Sequence, residues 1–158
     1  TAAEPFQNAG NWVGVCFDIQ AVGSMLWALV MPALEKNFHN KGAYAISLIV
    51  GALGFISTLF VTNQYVLLVS YAFIGAAWAA MLAVPFTILT NSLKGDNMGY
   101  YLGLFNCTIC LPQIVAALIG GFILKYICAG SQVGMLVAAG VLLLLGAISV
   151  VLIKEGKK

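Results

Sequence analysis

The sequence predicts an all-α protein, a polytopic bundle of membrane-spanning helices. Three observations carry this. Of 158 residues, 62 % are hydrophobic and only 8 % charged, where a soluble domain carries roughly 25 % charged residues. The mean hydropathy is +1.02. The apolar residues also fall in five continuous runs, each long enough for the roughly 20 residues a helix needs to cross a bilayer. Too little charge is present to coat a water-facing surface, which excludes a soluble enzyme, a disordered chain and a nucleic-acid partner. Lipid is the solvent such a surface requires. Strands of a membrane barrel would alternate in character over about ten residues. These runs do not, so the backbone must satisfy itself within helices.

The first segment, 11–31, holds Asp18, the one ionisable residue well inside a run. It lies about two turns from the end of the helix, roughly 10 Å deep at the helical rise. A carboxylate near a helix centre costs on the order of 2.5–3.5 kcal/mol to insert, so it must face protein or water. Two readings stand side by side: a proton or cation site, and a hydrogen-bonded carboxylate near a wet vestibule. Gln20 lies about 200° round the helix from Asp18 and belongs to a different face. The second segment, 43–61, offers little polarity beyond Ser47 and Ser57. It reads as lipid-facing scaffold.

The third segment, 65–89, carries Gly75, Ala76, Ala77, Ala79 and Ala80 around Trp78. Tyr71, Gly75, Trp78 and Pro85 share roughly one face. Gly75 suits close helix packing, and Pro85 frees the carbonyl of Met81 and kinks the helix. Trp is at home in the interfacial belt, yet Trp78 sits near mid-span, where its ring either stacks on a sugar or packs in the bundle. The fourth segment, 98–124, is the most informative. Gly95, Gly99 and Gly103 recur every four residues and stack along one face, which continues through Asn106, Cys110, Gln113 and Ala117. Lipid cannot hydrogen-bond an amide, so this face points into the bundle. Pro112 kinks the helix beside Gln113. The stripe is either a tight helix–helix seam or the lining of a cavity. The fifth segment, 131–153, is Val, Leu, Ile, Ala and Gly almost throughout and reads, like the second, as scaffold.

The connections, 32–42, 62–64, 90–97 and 125–130, are short, so consecutive helices run antiparallel. Lys36, Lys41, Lys94, Lys154, Lys157 and Lys158 then share one side of the membrane, with Lys125 alone on the other. Six against one places the C-terminus in the cytoplasm and Thr1 outside a cell membrane. Cys16, Cys107, Cys110 and Cys128 lie in apolar stretches and read as small buried hydrophobes. The CTIC at 107–110 has no second ligand pair, so neither a metal nor another cofactor is expected. No intramembrane Ser/His, paired-carboxylate or metal constellation points to an enzyme. With no basic n-region or small-residue cleavage site after Thr1, no signal peptide is expected. A start at Thr1 and an odd number of spans suggest a piece of a longer bundle, since transporter repeats come in equal halves.

Three stretches resemble the second half of major facilitator superfamily carriers: NWVGVCFDIQAVGS in the first segment, VPF at 84–86, and MGYYLGLFN followed by LPQ in the fourth. The likeness is nearest to sucrose/maltose-type proton symporters related to the glycoside–pentoside–hexuronide group. It implies that the five segments are helices eight to twelve of a twelve-helix carrier, five of a six-helix half whose N-terminal partner half is missing. It also implies transport of a small sugar with a proton or cation, through a cavity to which Tyr71, Trp78, Asn106 and Gln113 contribute and in which Asp18 couples. The 32–42 connection departs from the superfamily's gating motif. Pro32, Leu34 and Lys41 match it, but its aspartate and second glycine positions hold Lys36 and His39. A non-transporting membrane scaffold built from the same bundle is the alternative function.

Overall fold

The computed structural model describes residues 3–93 and 97–152. Gly95 of the expected glycine stripe lies outside them, as do Lys94 and the C-terminal lysines. The described residues form four α-helices: α1 (Ala3–Ser57), α2 (Gln64–Ser92), α3 (Met98–Phe122) and α4 (Gln132–Leu152). A π-helical turn, Ile123–Ile127, extends α3. No strand occurs among the described residues. All four helices are long and apolar enough to cross a membrane. This is a membrane helical bundle.

Helix α1 doubles back on itself. Helical backbone runs through the region expected as the first connection, and only His39 leaves it, at φ 60° and ψ 167°. On either side the two arms face each other, with the Trp27 indole N–H donating to Ser47 Oγ at 2.9 Å. That conformation at His39 lies in a region essentially reserved for glycine, and costs another residue about 1–3 kcal/mol. It is also the position at which the resemblance places the second glycine of the gating motif. His39→Gly should therefore raise the melting temperature of the purified full-length protein by several degrees, and His39→Ala should not. Equal melting temperatures for the two variants would remove the backbone argument.

The fold divides into two compact units, the first drawn from Thr1–Met81 and Leu136–Lys158, the second from Leu82–Met135. In the first unit the ring pairs Trp12–Tyr65 (5.7 Å) and Phe17–Tyr71 (6.2 Å) set α2 parallel to the first arm of α1. The second arm runs the other way. Ser57 Oγ donates to Ser70 Oγ at 2.8 Å, while Gly51 abuts Ala77 one helical stretch further along α2. Gly140 of α4 lies against Ala52, Phe55 and Ile56, and Gly146 against Leu48, so α4 is antiparallel to this second arm.

The 43–61 segment is thus the middle of the first unit, which corrects the scaffold reading. Ala43, Ala45, Ser47, Leu48 and Ala52 are buried, as are Gly51 and Gly54. Its small side chains let three neighbours approach, and its serines serve that packing. Ser47 Oγ donates to the Ala43 carbonyl at 2.7 Å while receiving Trp27. In lipid, where apolar surface supplies no driving force between helices, close backbone approach and such hydrogen bonds hold the bundle.

The second unit is built on α3. Phe86 packs on Phe105 at 6.2 Å, and α3 ends in the π turn, where the Cys128 N–H reaches the Ile123 carbonyl at 3.0 Å. Ala129 (φ 49°) and Gly130 (φ 78°) then take left-handed conformations, which close the helix C-terminus. Ser131 Oγ accepts the Gly134 N–H at 3.1 Å and caps the start of α4.

Candidate functional site

The first unit carries a half-open cavity of about 490 Å³, within the range of small-molecule sites. Helix α2 supplies Tyr71, Ile74, Ala77, Trp78 and Met81 to its wall, and the first arm of α1 supplies Phe17 and Gln20. Phe55 and a stretch of α4 complete it. Two of the expected substrate residues, Tyr71 and Trp78, therefore line one cavity. Trp78 is 49 % exposed, so its ring is presented and not absorbed into packing. Phe17 and Tyr71 meet edge to face, at 83° between their planes.

Gly75 explains how this wall is held. A Cβ at this position would collide with the Gln20 carbonyl and the Ser24 backbone nitrogen, and Ser24 Oγ donates to the Gly75 carbonyl at 2.8 Å and to the Gln20 carbonyl at 3.0 Å. Side chains at Tyr71 and Trp78, one helical turn either side, are thereby set opposite Phe17 and Gln20. In the sequence Gln20 stands apart, because it faces away from Asp18. A signal existed: Phe17, Gln20 and Ser24 form a stripe at helical spacing that matches Tyr71, Gly75 and Trp78 on the partner.

Asn106 and Gln113 lie in the second unit and are exposed, as are Gly99 and Gly103. A Cβ at either glycine would meet no atom of that unit within 4 Å. Helix α3 has no buried residue along its length. Both Pro85 and Pro112 sit inside helices that continue past them. Cys107 and Cys110 are exposed free thiols. In the first unit Asp18 is exposed and is not among the cavity-lining residues.

Residues 3–158 match the family profile of the Major Facilitator Superfamily. The chain belongs to the major facilitator superfamily. The Magnetosome protein MamH of Paramagnetospirillum magneticum is 24 % identical over 127 residues, covering 79 % of this chain and 28 % of that protein. The chain therefore spans less than a third of that relative's length. No solved structure matches. Membership of the superfamily accords with the multi-pass bundle of apolar helices, and gives a setting for a cavity that lies among them.

Proposed function

We propose that this chain is part of a secondary active transporter that moves a small glycoside or sugar by alternating access, coupled to a proton. The observation that carries the reading is a cavity walled by Tyr71 and Trp78 within a chain of the major facilitator superfamily. An aromatic ring presents a flat apolar face to the C–H face of a pyranose, while phenol and indole N–H groups hydrogen-bond its edge. The likeness to the sucrose/maltose-type symporters supports the sugar and the proton. On this reading the two arms of α1 and the three later helices make five crossings of a six-helix half in the cell membrane. Thr1 is outside and Lys158 cytoplasmic. In a background without native cysteines, Asn63→Cys should react with an impermeant thiol reagent from outside and Asn91→Cys should not; equal reaction at both sites overturns this orientation.

Asn106 and Gln113, seven residues apart and so about 10 Å apart along one face of α3, are assigned to the sugar hydroxyls. Removing one partner of a buried hydrogen bond costs about 1–3 kcal/mol. Gln113→Leu in the full-length carrier should weaken apparent sugar affinity by roughly one to two orders of magnitude while surface expression persists. Normal affinity with low surface expression would instead retire the cavity role for this face. That outcome would favour the second reading, a non-transporting membrane scaffold. The open space over Gly99 and Gly103 is its support, since a stripe of small residues receives another helix closely.

A further inference from the structure

We infer that the cavity of the first unit is a site for an uncharged amphipath, a ligand with an apolar body and a single hydrogen-bonding end. Nine of its twelve lining residues are aliphatic, Phe or Met, and none is acidic or basic. Only Gln20, Tyr71 and Trp78 bring side-chain groups that hydrogen-bond. A free disaccharide carries more hydroxyls than these three can pair. Each hydroxyl buried without a partner costs about 1–3 kcal/mol, so a ligand with an apolar body fits this space better than a fully polar sugar. A carboxylate or ammonium is excluded more strongly, because nothing in the wall neutralises it.

The wall is divided to suit such a ligand. Gln20 of α1 and Tyr71 of α2 both line the cavity, and Phe17 stands edge-on to Tyr71. Trp78, half exposed, lies two turns along α2 from Tyr71, about 10 Å at the helical rise. Met81 and Leu142 extend the apolar surface beyond it. The polar end belongs at Gln20 and Tyr71, and the apolar body runs along Trp78 towards Met81. Two sources supply this chemistry: a glycoside with an apolar aglycone, and a neutral membrane lipid. The assignment goes beyond the transport reading and does not require it.

Ligand-induced thermal stabilisation of the purified full-length protein tests it, with phenyl glucoside, 1-decanol, sucrose and phenyl glucuronide as probes. Phenyl glucoside or decanol should stabilise the protein at concentrations at least tenfold below those needed for sucrose or the glucuronide anion. Trp78→Ala should raise the concentration needed by about tenfold, and Trp78→Phe should restore most of the effect. Because Trp78 is half exposed, neither variant opens the core. Phenyl glucoside acting well below decanol assigns the site to a glycoside, and the reverse order assigns it to lipid. Sucrose or the glucuronide matching phenyl glucoside, or Trp78→Ala without effect, overturns the inference. Binding of phenyl glucoside without its uptake into vesicles would count against the transport reading alone.

Discussion

Gly54→Leu should leave less than about a tenth of the full-length protein recoverable as a folded, monodisperse species. A Cβ at Gly54 would sit 2.8 Å from the Ser70 carbonyl oxygen, and 3.0 Å from both the Ile74 nitrogen and Phe73 Cβ. Two of those three atoms are helix backbone, which cannot swing aside as a side chain does. Overpacking in a well-packed interior costs typically 1–3 kcal/mol, and here the rest of the leucine must also be placed where α2 already lies. The hydrogen bond from Ser57 to Ser70 at 2.8 Å, one turn away, would be pulled open with it. Gly75→Leu should behave alike, because its position abuts the Gln20 carbonyl and the Ser24 nitrogen. Gly99→Ala is the control, since its surroundings in the second unit are open. Fluorescence-detected size exclusion of the three variants decides the matter. Recovery of Gly54→Leu at the level of Gly99→Ala would show that α1 and α2 do not pack as described.

If the proposed sugar–proton symport holds, Asp18→Asn should abolish accumulation of sugar against its gradient in the full-length carrier while leaving exchange across the membrane within about twofold. Asp18 sits in a long apolar stretch of α1 and is exposed there. Its side chain makes no hydrogen bond among the described residues. Placed against lipid it would cost on the order of 2.5–3.5 kcal/mol. The proposed transport reading therefore sets the residue on a wet route or at an interface formed by the rest of the carrier. Asparagine keeps the size and the hydrogen-bonding capacity but cannot titrate. On the proposed reading, exchange needs only alternating access to the site, whereas accumulation needs the coupled proton. Counterflow and net uptake measured on the same proteoliposomes separate the two. Undiminished accumulation by Asp18→Asn would reduce Asp18 to a structural role.

Solvent and secondary structure were legible in the residues themselves. Five apolar runs with so little charge leave no other solvent than lipid, and lipid leaves the backbone no arrangement other than helices. Tyr71, Gly75 and Trp78 were legible as one face, because that follows from helical geometry alone. What could not be read was which faces meet. In water, a polar face marks the outside of a helix; in lipid, the outside and the interior are both apolar, so hydropathy is nearly uniform around each helix and carries no orientation.

That is why the 43–61 segment, poor in polar groups, reads as periphery in the sequence yet lies at the middle of the first unit. The informative signal was size and not polarity: Ala45, Ser47, Gly51, Ala52 and Gly54 are small where neighbours must come close. Gln20 was likewise invisible as a cavity residue until Gly75 brought α2 against it. His39 could be counted only as a missing glycine; that its backbone needs one was decided by α1 folding back on itself. Helix identity is local and the sequence specifies it. The contacts between helices depend on shapes at both surfaces at once, and only the tertiary structure decides them.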